Sequence, residues 1–179
     1  MRASRKGLAV LGLAVATVCV GSASADNRRH KEEVVRARLI GINEVPSVST
    51  VARGRFKAVI NEEAGTITFK LSYSALEATP TQAHIHVGQQ HTNGGITLFL
   101  CTNLTPPAGV PVPQACPQGP AEIEGTLTQA DVLEVVAQGI DANGFAEVLR
   151  AIRAGATYAN VHSERFQPGE IRGPITRDD

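Results

Sequence analysis

The 179-residue chain has no tryptophan, two tyrosines and five phenylalanines, so aromatic side chains make up only 4% of it. That leaves little with which to line a substrate pocket. Neither sign of charge dominates, with 17 Lys and Arg against 17 Asp and Glu. No basic excess marks a nucleic-acid or anionic-lipid partner. Apart from a run near the amino terminus, no stretch approaches the ~20 apolar residues that cross a bilayer, so no membrane span is expected. Catalytic signatures are missing as well. Ser163 has no G-x-S-x-G around it, no C-x-x-C spacing points to zinc, and there is no internal repeat.

The amino terminus reads as an export signal. Arg2, Arg5 and Lys6 precede an apolar run from Leu8 to Val20, followed by Ala23-Ser24-Ala25, the small-x-small pattern of a cleavage site. Cys19 offers a lipid-anchor alternative, but Val18 stands before it where such signals want Gly or Ala. Removal of the first 25 residues leaves 154, enough for one domain. It also takes away three basic residues and no acidic ones, so the mature chain carries 14 against 17, a net charge of −3. Residues 26–33, DNRRHKEE, are charged without apolar content and read as a disordered lead-in to a domain over 34–176.

Two cysteines outlast the signal, Cys101 and Cys116, at the ends of a proline-rich loop. In an exported chain an even pair of this kind predicts a disulfide. Two unpaired thiols remain the alternative.

Periodicity predicts a mainly β fold, an antiparallel Greek-key β-sandwich with a short two-helix insertion before the last strands. In 65–73, GTITFKLSY, Ile67, Phe69, Leu71 and Tyr73 alternate with polar residues. Residues 54–60 alternate likewise and join this strand through NEEAG as a hairpin. Further strands are expected over 34–42, 82–87, 95–100, 156–162 and 170–176. Thr128 and Asp131 form a capping-box pattern ahead of Val132, Val135 and Val136, with Gly139 as the stop of a first helix. Phe145, Val148, Leu149 and Ile152 fall at i, i+3, i+4 and i+7 of a second, stopped by Gly155.

Histidine is scarce, yet three of the five lie within AHIHVGQQH: His84, His86 and His91. On a strand through 82–87, Ala83, Ile85 and Val87 share one face and His84 and His86 the other. In ATYANVH, Ala159 and Val161 face one way and Tyr158, Asn160 and His162 the opposite way. If both strands turn their apolar faces to one core, all three strand histidines project from the outer surface of the same sheet. Were the strands neighbours, the histidines would converge, with His91 folding back from its loop. Neutral imidazole is a common metal ligand, and Cu(II) stands at the top of the divalent affinity order. A solvated sheet face without metal remains the alternative. The metal reading expects binding to weaken as pH falls through about 6.5, the ordinary imidazole value.

LIGINEVPSVSTVARG (39–54), AHIHVG (83–88), LRAIRAG (149–155) and GATYANVHSERFQPGEIRG (155–173) together resemble the CHRD, or chordin-type, domain. The resemblance spans about residues 34–176. It implies a secreted protein, extracellular or periplasmic, whose partner is an unidentified extracellular protein or matrix component. The animal member of that family binds growth factors and is not a catalyst. A fainter resemblance is to Cu,Zn superoxide dismutase, also a Greek-key sandwich with an H-x-H strand. By that analogy His84, His86 and His162 are copper ligands and His91 the additional or bridging one; zinc is the second choice of metal. Asn160 and Arg172 would then support the ligands or guide an anion. No further His or Asp lies between His91 and Asp131 to complete a zinc subsite, so a mononuclear site is the most this likeness implies. Fold analogy by itself confers no activity.

A cupin would need a Glu soon after the H-x-H, and VGQQH has none. Glu170 and Arg172, alternate residues of one strand, are expected to pair locally. In GINEVP, Asn43 and Glu44 either cap a turn or place Glu44 against Arg172 across the sheet. Two function classes stand: an exported binding or structural module with no catalytic residues and a surface histidine-cluster metal site, and a mononuclear copper oxidoreductase of superoxide dismutase-like type.

Overall fold

In the computed structural model, residues 32–106 and 108–178 are described. The export signal, its cleavage site, His30 and most of the charged lead-in lie outside them. Antiparallel strands dominate: β1 (Glu33–Ile40), β2 (Arg53–Asn61), β3 (Thr66–Ser74), β4 (Pro80–Val87), β5 (Gly95–Thr102), β6 (Ala121–Leu127), β7 (Thr157–Ser163), β8 (Ile171–Pro174) and β9 (Thr176–Arg177), with one helix, α1 (Phe145–Arg153). The strands form a single sheet in the order β5-β4-β7-β8-β1-β2-β3-β6, with β9 on β1. Pairing of β1 with β8 joins the two halves of the chain.

Alternation decides which side chains form the core. Phe56, Ala58 and Ile60 of β2 face inward beside Ile67, Phe69 and Leu71 of β3, while Arg55, Lys57, Thr68 and Lys70 stay exposed. The sheet curls around this core until its end strands approach. Gln114 closes the seam, its Nε2 donating to Leu100 O of β5 and to Glu124 O of β6. The loop that carries Gln114 is fixed by a Cys101–Cys116 disulfide and by Asn103, whose amide donates to Pro80 O and Cys116 O at 2.8 Å.

The insertion differs from expectation in its first half. Val148, Leu149 and Ile152 of α1 pack into the core, and Gly155 takes the left-handed conformation (φ 67°) that ends the helix. The segment before it forms two 3-10 turns, Gln129–Asp131 and Val136–Gln138. The Thr128–Asp131 capping box is present, but it caps a single turn. Val132 leaves that turn in extended conformation, and Leu133 N donates to Thr97 O of β5. A helix would have placed Val136 on the core face, whereas it is 76% exposed. Three β-branched valines close together favour this extended path. Strand β6, AEIEGTL, is not among the strands expected from periodicity. Its pattern is broken by Gly125, which lets the Phe69 ring of β3 lie against its backbone.

Candidate metal centre

Strands β4 and β7 are neighbours. His84 sits opposite Asn160, His86 opposite Tyr158 and Gln82 opposite His162. Ala83, Ile85, Val87, Ala159 and Val161 all enter the core, so His84, His86 and His162 emerge together on the other face. Their ring centroids are 4.9 Å (His84–His162), 5.4 Å (His84–His86) and 6.3 Å (His86–His162) apart. One ring nitrogen from each can be chosen so that all lie within 4.8 Å of one another.

This outer face is not solvated. His84 is 0% exposed, His86 7% and His162 6%, because loops roof it. The 88–94 loop folds back so that Gly94 O meets His86 Nδ1 at 2.9 Å. A side chain at Gly94 would collide with the Val87 carbonyl, which explains a glycine there. The 164–170 loop brings Gln167 O to His162 Nδ1 at 2.7 Å. From the GINEVP turn comes Glu44, buried, its carboxylate 2.6 Å from Arg172 Nε. Gly169, at φ 135°, leaves room for that carboxylate, since a Cβ would come within 2.7 Å of both oxygens. Edge-on to His84, the Phe99 ring closes the side (4.4 Å).

Proton counting fixes the state of two rings. A backbone carbonyl only accepts, so the protons of His86 and His162 sit on Nδ1. Burial pushes His86 down to about 4 and holds His162 below the ordinary imidazole range. Both rings are therefore neutral at pH 7, and each Nε2 keeps its lone pair. The two Nε2 atoms face the same terminus of the Asn160 amide at 3.0 and 3.1 Å. Two lone pairs require a donor, so that terminus is the NH2 of Asn160, amide oxygen and nitrogen being assigned from such networks. His84 is also held well below the usual range, first by burial and then by the neighbouring rings. Neither of its nitrogens has a partner in hydrogen-bond geometry, the Asn160 amide exerting only the smallest of the influences on the ring.

Three neutral imidazoles suit a transition metal, His84 with both nitrogens unpartnered and His86 and His162 with Nε2 lone pairs engaged only by the Asn160 amide, and the carbonyl anchors on His86 and His162 are the supports that orient such ligands. Asn160 touches both rings. Arg172 is committed elsewhere: its guanidinium donates to Glu44, to Thr92 O (3.0 Å) and to Asn93 Oδ1 (2.9 Å). It also lies 4.4 Å above the Tyr158 ring, which in turn stacks on His86 at 4.7 Å. Buried at 5% exposure, it acts as a clamp joining two loops, the GINEVP turn and the 88–94 loop, to the site. Burial raises Glu44 to about 7 despite Arg172. His91 is exposed on the roofing loop at φ 69° and is not part of the cluster. Glu170 does not pair with Arg172; its Oε1 accepts from Thr50 Oγ1 and Glu77 N instead.

The model of the CHRD domain matches residues 35–175. The chain belongs to the CHRD-domain family. No curated protein matches this CHRD chain, so its roofed histidines have to be interpreted from their own geometry. Among the described residues of the CHRD domain, no helix is long and apolar enough to cross a membrane.

Proposed function

We propose that this CHRD protein is an exported binding module that holds one transition-metal ion on His84, His86 and His162, Cu(II) by preference and Zn(II) second. His84 carries the reading. A fully buried ring with two unpartnered nitrogens leaves polar atoms unsatisfied, at a cost of about 1–3 kcal/mol each. A metal at the common point would satisfy one of them, taking over from the Asn160 amide the Nε2 lone pairs of His86 and His162 as its other ligands. Imidazole nitrogen suits copper, and the affinity order favours Cu(II) over Zn(II). With the rings buried and Arg172 locked among the roofing loops, the ion serves the architecture of the module.

Copper titration followed by electron paramagnetic resonance tests the site. His84→Ala and His162→Ala should lose the nitrogen-ligated signal, while His30→Ala should behave as wild type. Identical spectra and affinities in all four proteins would sink the assignment. Export rests on Ala23-Ser24-Ala25 and is tested by intact mass, which should give a mature chain beginning at Asp26.

A second reading, a mononuclear copper oxidoreductase, draws on one observation: three protein ligands leave a coordination position free, as in catalytic metal sites. The roof and the engaged Arg172 weigh against it. Copper-loaded protein should dismutate superoxide weakly at most, and turnover near the diffusional ceiling of about 10⁸–10⁹ M⁻¹s⁻¹ would reverse this preference.

A further inference from the structure

A second surface lies on the outer face of β1 and β2 and uses none of the histidine-site residues. Alternation turns Arg36, Arg38, Arg53, Arg55 and Lys57 outward, all exposed. The register sets Arg38 directly opposite Arg55 and Arg36 opposite Lys57. Like charges facing each other across a ladder are destabilising. The next strand outward shows the alternative, since Lys70 of β3 sits opposite Glu124 of β6 and pairs with Glu122 and Glu124. Arg36 reaches Asp178. Among the described residues, Arg38, Arg53, Arg55 and Lys57 have no acidic partner.

The four lie in or beside two adjoining grooves of 1220 and 740 Å³ that share Arg38 and Arg55. Strand geometry spaces the outward residues about 6.8 Å apart along each strand, giving two parallel cationic rows on a rigid support. Ile42 (65% exposed) and Val51 (71%) line the larger groove.

We propose that this face binds a linear acidic polysaccharide whose sulfate or carboxylate groups engage Arg38, Arg53, Arg55 and Lys57. Guanidinium forks match such oxyanions bidentately, and the fixed row spacing suits a polymer with regularly repeated charges. The apolar faces of sugar rings fit against Ile42 and Val51. Nearby aromatic rings, Phe56 and Tyr73, are buried and give no platform for stacked bases, which disfavours single-stranded nucleic acid. A groove also receives a chain better than it receives a membrane surface. Export matters to this proposal only as the route by which the protein meets its ligand, because binding is read on purified protein.

The test uses the full mature protein on immobilised size-defined heparin oligosaccharides at about 0.15 M salt, close to physiological ionic strength. Arg38→Ser/Arg55→Ser should lose at least about tenfold in affinity, which is about 1.4 kcal/mol. Arg38→Lys/Arg55→Lys, which keeps the charge and removes the forks, should fall between. The control Arg150→Ser/Arg165→Ser removes equal charge from residues paired elsewhere, with Glu147 and Glu77, and should change affinity less than twofold. Single-stranded DNA of matched charge and phosphatidylserine vesicles should bind more weakly than heparin. No retention of wild type, equal losses in the face and control variants, or tighter binding of DNA or vesicles would each overturn the proposal.

Discussion

Strands β4 and β7 turn His84, His86, Tyr158, Asn160 and His162 away from the core; strands β1 and β2 turn away Arg36, Arg38, Arg53, Arg55 and Lys57. By strand periodicity the two sets are equivalent, polar residues on the outer face of one sheet. The first set lies under three loops with exposures of 7% or less, and the second stands in water. Alternation therefore decides which face a residue takes, and the loops decide whether that face is wet. The side-chain chemistry follows the difference. Imidazole can discard its charge and live under the roof, whereas arginine cannot, and Arg172, the guanidinium that lies there, is matched by Glu44.

Removing that match should break the contrast most severely. Arg172→Ala leaves the Glu44 carboxylate buried without its partner and frees the loop held through Thr92 and Asn93. A loss of about 3–5 kcal/mol is expected in urea unfolding, and a loss under about 1 kcal/mol would mean that the clamp does not hold the roof.

Acidification attacks the same face by another route. The folded values of the three rings lie below the ordinary imidazole value, so the unfolded chain binds more protons. Their contribution is complete above about pH 6.5 and is lost as pH falls toward the folded values. Glu44, raised to about 7, works in the opposite sense, its contribution being present below about 4.5 and lost as pH rises through 7. A difference measurement separates them. In metal-free protein, His86→Gln should shrink the stability lost between about pH 7.5 and 4 by on the order of 3 kcal/mol. The same depression should move acid displacement of copper below pH 6.5. An unchanged pH profile in the variant would show that His86 is not held neutral by burial.

The disulfide supplies a control that lies in the core and on neither face. Cys101→Ser/Cys116→Ser should lower stability by up to about 3 kcal/mol, less where the prolines already stiffen the unfolded loop, without changing the histidine pH response. The smallest effect belongs to the open face. Arg38→Ser/Arg55→Ser should leave the unfolding midpoint unchanged or raise it, by no more than about 1 kcal/mol, because it removes repulsion. A clear loss would mean that those arginines support the fold.

Periodicity made much of this legible. The β2–β3 hairpin, the shared face of His84, His86 and His162, and α1 with its Gly155 stop all follow from residue spacing. The Cys101–Cys116 bond follows from the count of cysteines left when the segment read as an export signal is set aside, and the Glu44–Arg172 pair is one of two readings of GINEVP. What escaped depends on contacts distant in sequence. The valine run at 132–136 matches a helix, but its backbone is drawn into pairing with Thr97. His91 is close to the H-x-H in sequence, yet the loop that covers His86 does so with the Gly94 carbonyl and leaves His91 outside. Burial of the histidine face needs three loops to arrive together, and no local pattern announces that. Gly94 and Gly169, tolerating close approach to Val87 and Glu44, were the available hints.

The central claim, that His84 is kept for a ligand and not for the fold, is tested most directly by one unfolding comparison. Wild type and His84→Leu are denatured in chelator and again in excess copper. In chelator the leucine variant should match or exceed wild type, because two unsatisfied buried nitrogens are replaced by an apolar side chain. Copper should then stabilise wild type and leave the variant unmoved. A variant that is the weaker of the two in chelator, beside a wild type indifferent to copper, would make His84 an ordinary packing residue and contradict the account.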